Sequence, residues 1–437
     1  MRRRRSAAPL PHAPLEFASP LEITGAGAEG VAILAEAGEQ FALHLLRALR
    51  LVHAWSRVSG AEGTSAFPDT PAVARWASEL AECSFDGMSQ APLAHLASEL
   101  ARTDTDSADG LANACLAVSE WSLEAGLETT ALLFTEAAAL AAPANARFAW
   151  TAGRMLRNFG EMRRAELWLR RAERIAVWTG DVEVHGLALN SLGNLYVRQG
   201  AFPNALATLN RALNVARRIG RERCGAVMHD LFTLYIMMGQ HTRAEEAALA
   251  ALDLYGPEHP ILPKLAHDVA GLWLRQGRFR TALPVLQALK PYLALPEERL
   301  RVAASIARAG AALHDLGAYE ASRAEAWELV RDAAPAVRAT APAALVELGY
   351  AAATLGEWDE AEHALKLALE AATARSAHED ASSAEDALTV VRTRVPMDRA
   401  YGPSHGSARR LSVALVHTLE RSATGTSQME ALGDSAT

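Results

Sequence analysis

Few residue patterns in this chain are of the kind that does covalent chemistry. Gly25-Ala-Gly27-Ala-Glu-Gly30 satisfies G-x-G-x-x-G, the string with which a strand-to-helix turn cradles a dinucleotide pyrophosphate. That use needs a buried strand before the glycines and a βαβ unit around them. Here only LEIT precedes and a long helical pattern follows, so the string reads as a linker or helix entry. His229-Asp230 and His267-Asp268 repeat one dipeptide, and both side-chain types ligate metals. Ligands must converge to about 2 Å from one ion, whereas equivalent sites on neighbouring packed helices stand about 8–10 Å apart, which favours polar lining or local contacts. Cys83, Cys115 and Cys224 are far apart and form no C-x-x-C pair, so neither a disulfide framework nor a structural zinc site is indicated, and a reducing cytoplasm suits them. G-x-x-x-x-G-K, H-E-x-x-H and G-x-S-x-G do not occur, and lysine is confined to Lys264, Lys290 and Lys366. These features point away from an enzyme and from any cofactor, and toward recognition.

Recognition chemistry is present in two neighbouring segments. Trp150, Arg154 and Asn158 follow one another at four-residue spacing with Arg157 beside them, and Asn190, Asn194 and Arg198 repeat that spacing forty residues on. On a helix such a row shares one face. Amides pair with a peptide main chain and guanidinium forks with carboxylates, so the two rows suit an acidic peptide; the plain alternative is a solvated helix face. Charge is segregated in the same region. Residues 60–144 hold 13 acids and 2 bases, and residues 145–225 hold 14 arginines and 6 acids. Opposite bands therefore abut within a chain of net charge −8. Arg163, Arg164, Arg170, Arg171, Arg217 and Arg218 are expected to face outward, where they would pair with the acidic band, within the chain or head to tail between copies. An acidic protein partner ranks ahead of nucleic acid, because no zinc finger, stacking motif or helix-turn-helix is visible.

The elements that must position these rows are helices. Half of the 437 residues are hydrophobic and only 6% are aromatic, and alanine at roughly a fifth of the chain favours helix over sheet. Glycines that would end a helix recur at Gly126, Gly160, Gly200, Gly239, Gly277, Gly317 and Gly356, spaced 34 to 40 residues apart. Five residues after them stand Ala131, Ala165, Ala205, Ala244, Ala282, Ser322 and Ala361. Seven before them the residues are mostly small, including Gly153, Gly193, Gly310 and Gly349. A small residue on a first helix facing an alanine on a second lets two backbones approach, and the glycine supplies the left-handed turn between them. No single hairpin buries its apolar face alone, so an all-α solenoid of stacked hairpins is expected.

With a small residue, a turn glycine, a following aromatic and then alanine, carried by Leu192, Gly193, Tyr196, Gly200, Phe202, Ala205 and Ala212, the chain resembles the tetratricopeptide repeat family. Most of its units are 38 to 40 residues long against the family's usual 34, which is similar to the longer repeats of kinesin light chains and bacterial peptide-pheromone receptors. The resemblance implies an α-solenoid, a right-handed superhelix of antiparallel helical hairpins whose first helices line a concave groove for peptides or protein segments. It places Trp150, Arg154, Arg157, Asn158, Asn190, Asn194, Arg198, His229, Asp230, His267 and Asp268 in that groove.

The organisation expected is a basic, proline-rich disordered tail over 1–25, an N-terminal helix over 26–60 and a degenerate repeat around Gly87 over 71–111. Seven hairpins over 112–374, capping helices over 375–421 and a disordered tail over 422–437 follow. Phe232 replaces a small residue, Pro284 should bend a second helix, and Pro263 and Pro342 should open first helices. The helical pattern over 31–58 is too interrupted by His44, Arg47, Arg50 and His53 to span a membrane. The expected function is a protein-interaction scaffold or adaptor for an acidic peptide or protein segment. A regulatory peptide-sensing receptor and an accessory subunit of an enzyme complex are the alternatives.

Overall fold

Alanine- and leucine-rich stretches punctuated by glycine fold into one helix after another. In a computed structural model of the protein the described residues are 28–59, 70–83, 90–102, 107–331, 335–374, 377–394 and 406–434, and no strand occurs among them. The tail over 1–25, Gly25, Gly27 and the Gly87 turn lie outside the described residues. The chain divides into two units, Met1–Arg223 and Cys224–Thr437.

The first unit contains α1 (Ala28–Ala37), α2 (Glu39–Ser59), α3 (Thr70–Glu82), α4 (Ala91–Ala101), α5 (Ser107–Glu124), α6 (Glu128–Ala141), α7 (Ala146–Asn158), α8 (Met162–Thr179), α9 (Val182–Arg198) and α10 (Phe202–Ala216). The unit boundary falls in the first turn of α11 (Arg221–Met237). The second unit continues with α12 (His241–Tyr255), α13 (Leu262–Arg275), α14 (Phe279–Leu289), α15 (Pro296–Leu313), α16 (Leu316–Arg331), α17 (Pro335–Leu355), α18 (Trp358–Ala374), α19 (His378–Arg392) and α20 (Gly406–Asp434). Both units are all-α stacks of helical hairpins, with α5–α6, α7–α8, α9–α10, α13–α14, α15–α16 and α17–α18 packed as antiparallel pairs.

The turns explain the repeat. Gly126, Gly160, Gly200, Gly239, Gly277 and Gly356 all adopt left-handed φ between 68° and 85°. After each, the next N–H bonds back to the carbonyl five residues earlier, as in Glu161 N to Leu156 O at 2.9 Å and Ala201 N to Tyr196 O at 2.9 Å, which satisfies carbonyls that the helix end would otherwise orphan. Gly317 departs from the expected register: it lies inside α16, and the left-handed residue is His314 at φ 57°. Asp315 N bonds Gly310 O at 2.9 Å, and the Asp315 carboxylate accepts from Ala318 N at 3.1 Å. The second helix therefore starts directly behind the turn, three residues earlier than the glycine spacing predicts.

The residues five after the expected turns, Ala131, Ala165, Ala205, Ala244, Ala282, Ser322 and Ala361, are all buried. The tightest approach, however, is one helical turn beyond the alanine. A Cβ on Gly153, Gly193 or Gly349 would come within 2.6 Å of side-chain carbons of Leu169, Leu209 or Leu365. The glycine admits a leucine, and the alanine keeps the next layer thin.

Several expectations about single elements are corrected. The N-terminal helix is two helices, broken at Gly38 with φ 73°. They pack on the first hairpin: Phe41 meets Trp121 at 5.2 Å between ring centroids, and the Glu36 carboxylate caps α6 by accepting from Thr129 N and Thr130 N at 2.8 and 3.1 Å. Burial alone would raise the Glu36 pKa, but the bonds from Thr129 and Thr130 outweigh it and hold the carboxyl below its ordinary value. Pro263 does stand in the first turn of its helix, but Pro342 lies inside α17, which begins seven residues earlier at Pro335. Helix α14 runs through Pro284 and ends at Leu289 in a short 3-10 turn. At the C-terminus α19 lies on α17 and α18, whereas α20 packs on α12, α13 and α14. Its backbone is helical over 406–434.

Candidate functional site

In the first unit the Asn/Arg rows lie on the first helices α7 and α9. Asn145 fixes the start of α7, its side chain accepting from Arg147 N at 3.0 Å while its amide donates to Asp109 at 3.1 and 3.2 Å. Asp181 does the same for α9 by accepting from Val184 N at 3.0 Å. With Ala149, Ala152 and Leu156 buried on α7, and Leu189 and Leu192 buried on α9, the four-residue rows fall on the other face.

Three of the predicted residues tie the two helices together. Trp150 Nε1 donates to Ser191 Oγ at 2.9 Å, Arg157 reaches the Ser191 carbonyl at 3.5 Å, and Arg198 donates to the Arg157 carbonyl at 3.0 Å. Arg157 also donates to Asn158 Oδ1 at 3.3 Å. Arg154 is different. Its guanidinium sits 5.0 Å from the centroid of the Trp150 ring, the residue is exposed, and no ion pair engages it among the described residues. Stacking on an indole holds a cation without consuming its N–H donors. Asn158 is exposed beside it, and Asn190 and Asn194 are half-buried on α9. The arrangement is a braced platform carrying one open guanidinium and amides, suited to carboxylates and peptide groups.

The predicted residues of the second unit do something else. His229, on α11, is buried, and its Nε2 stands 3.0 Å from Asp268 Oδ2 on α13. Lys264 Nζ reaches the same oxygen at 2.6 Å, and His267 Nδ1 is 3.9 Å from the other. Burial pushes the Asp268 pKa up, yet the bond from His229, the nearby His267 ring and the Lys264 ammonium win, holding the carboxyl far below the usual carboxylate range. Asp230 and His267 are half-buried. The dipeptides thus bridge two first helices, and among the described residues no group of three or more His, Cys, Asp or Glu side chains is placed so that it could hold a metal ion. Because its folded pKa is depressed, the Asp268 carboxylate stabilises the fold above the ordinary value of 3.8, and that contribution is lost as pH falls through the folded pKa. Asp268→Ala should cost about 1–3 kcal/mol at pH 7 by stranding buried His229, and the deficit in urea melts should shrink under strong acid.

Buried carboxylates, which the sequence reading missed, organise the second helices. Glu136 is buried and accepts from Trp168 Nε1 at 2.9 Å and from Arg164 through both oxygens. Burial raises its pKa against the opposing pull of Arg164. Glu245 is held likewise by Trp273 Nε1 at 3.0 Å and by Arg278, and the half-buried Glu360 by Trp327 Nε1 at 2.9 Å and Arg323 at 2.6 Å. The outward placement expected of the band's arginines is therefore corrected for Arg164, which is spent on Glu136, and for Arg171, which is 2% exposed with its pKa pulled down to about 10 by burial. Arg163, Arg170, Arg217 and Arg218 are exposed. A signal for Glu136 was available: a lone acid inside the apolar run ALLFTEAAAL.

No helix among the described residues is long and apolar enough to cross a membrane. Residues 185–255 match the model of the tetratricopeptide repeat family. No curated protein matches the chain. Among solved structures, a Rap protein complexed with competence and sporulation factor is similar at 11% identity and TM-score 0.42, over 81% of this chain and 97% of that one. The human IFIT1 dimer with PPP-AAAA is similar at 14% and 0.43, over 74% and 69%. The TPR2AB domain of yeast Sti1, from its complex with pHSP90, is similar at 16% and 0.26, over 64% and 98%. Of these similarities the family match is the one that bears on function.

Proposed function

We propose that this chain, whose residues 185–255 match the tetratricopeptide repeat family, is a protein-interaction scaffold whose first-helix face on α7 and α9 holds an acidic peptide or protein segment. The observation that carries this reading is Arg154, exposed and stacked on Trp150 while the surrounding arginines are committed to main-chain carbonyls. Arg154 supplies the fork for a carboxylate, and Asn158 and Asn194 supply amides for the peptide main chain. Trp150, Arg157 and Arg198 act on the ligand indirectly by fixing the spacing of the two helices. The family match over 185–255 supports a scaffold, and the basic band over 145–225 supports an acidic occupant.

A charge-reversal pull-down tests the reading. Arg154→Glu leaves the bonds that brace the platform in place, so its melting should match wild type while its affinity for the captured partner falls tenfold or more. Arg198→Glu should weaken capture as well, and with it the stability of the first unit. Unchanged partners and affinity in Arg154→Glu would remove α7 and α9 from the binding surface.

A further inference from the structure

The first-helix face continues from α7 onto α5 with the opposite charge. Asn145 at the start of α7 donates to Asp109 at the start of α5, and farther along Ser119 Oγ stands 3.8 Å from Met155 Sδ. The two first helices are therefore neighbours, and the residues adjoining that second contact are Glu120 and Arg154. Cys115, Val118, Ser119 and Ser122 are buried on α5, while Glu120, Leu123 and Glu124 are exposed. Neither carboxylate has an ion-pair partner among the described residues, and neither has Arg154. The placement of the two acids is unfavourable as it stands. Like charges four apart on a helix repel, and Glu124 is the last residue of α5, where the carbonyl end of the helix is itself negative. The next two first helices end the other way, with Arg157 and Arg198 in their last turns. A cation over Glu120 and Glu124 would relieve both repulsions. Leu123, 39% exposed beside both acids, offers apolar surface to the methylene stem of a lysine or arginine, which a metal ion could not use.

We infer that the occupant of the α7–α9 face extends over α5 and is bipolar: an acidic side chain takes Arg154, and a lysine or arginine of the same segment takes Glu120 and Glu124. The inference rests on Arg154 as the carboxylate site and adds to it a second contact of opposite sign. Neighbouring packed helices stand about 8–10 Å apart, and an extended peptide advances about 3.3 Å per residue, so the two charges of the peptide should lie about two to four residues apart. Such a pair fixes the register of the segment on the face. A purely acidic segment is repelled at α5 and a purely basic one at Arg154, so the face selects against both.

The probe is a library of peptides about twelve residues long, acetylated and amidated so that terminal charges play no part, selected on the full wild-type chain. Selected peptides should carry Lys or Arg about two to four residues from an Asp or Glu. Their affinity should fall at least fivefold on Glu120→Gln/Glu124→Gln, a variant whose melting should match or exceed that of wild type because both repulsions are gone. Replacing the basic residue of the peptide by Gln should weaken binding to wild type by a similar factor and change binding to the variant little. Peptides that depend on Arg154 but carry no basic residue at this spacing, or that bind the glutamine variant as well as wild type or better, overturn the bipolar occupant and leave the Arg154 site standing. Peptides indifferent to Arg154→Glu remove the carboxylate site and this inference with it, as does a selection that returns no peptide. Self-association of the wild type that Glu120→Gln/Glu124→Gln dissolves would give the face to a second copy and overturn the inference.

Discussion

Gly310→Ala should destabilise the second unit by about 2–4 kcal/mol, although alanine in a helix interior is otherwise worth about 1 kcal/mol over glycine. A Cβ at this site would stand 2.8 Å from the backbone nitrogen of Tyr319 and 3.1 Å from the Asp315 carbonyl. Main-chain atoms cannot swing aside as a side chain does, so α15 and α16 would have to separate. Separation would break the Asp315 N to Gly310 O bond and lift buried Tyr319. Gly271→Ala provides the control, because the nearest atom to its Cβ is the end of the Arg275 side chain at 3.6 Å; its stability should be unchanged or raised. Urea unfolding of the two variants, followed by circular dichroism, checks the contrast, and equal midpoints would show that the α15–α16 turn does not need its glycine.

The second large effect is expected at Arg164. Removing one partner of a buried pair leaves an uncompensated charge and costs about 3–5 kcal/mol, and Glu136 is 1% exposed. The sign of the pH dependence follows from the raised Glu136 pKa. A carboxyl whose folded pKa lies above its unfolded value favours the folded state when protonated, and that advantage is lost as pH rises from about the unfolded value through the folded one. The deficit of Arg164→Ala relative to wild type should therefore be greatest near pH 7 and smaller near pH 5. Adding Glu136→Gln, which removes the charge and keeps an acceptor for Trp168, should recover at least half of the loss at pH 7. A deficit independent of pH, with no recovery in the double variant, would mean that Glu136 is not the group Arg164 neutralises.

The turns were legible because a left-handed residue is so often glycine, and six of the seven glycines named from the sequence adopt that conformation. The seventh failed for a physical reason: His314 takes the left-handed place with Asp315 behind it, and nothing in composition separates that histidine from its neighbours. The alanine five after each turn stood out against its surroundings. The leucine one helical turn later, which the glycine admits, did not, because leucine is common at every buried site. Leu411, Leu415 and Leu419 announce a buried face, but periodicity does not say which distant helices bury it, and so the seating of α20 on α12 and α14 could not be foreseen. In the candidate site the shared faces of α7 and α9 were readable from four-residue spacing. That Arg157 and Arg198 bind carbonyls, and that Asp268 is taken by His229 and Lys264, depends on helix separations that a single sequence does not encode.

Selection of random peptides on the wild-type chain is the most direct test of the proposed scaffold. The Arg154 platform predicts peptides enriched in Asp and Glu, whose affinity falls tenfold or more on Arg154→Glu and weakens steeply with added salt. Peptides without acidic enrichment, or acidic peptides that bind Arg154→Glu as well as wild type, would contradict it.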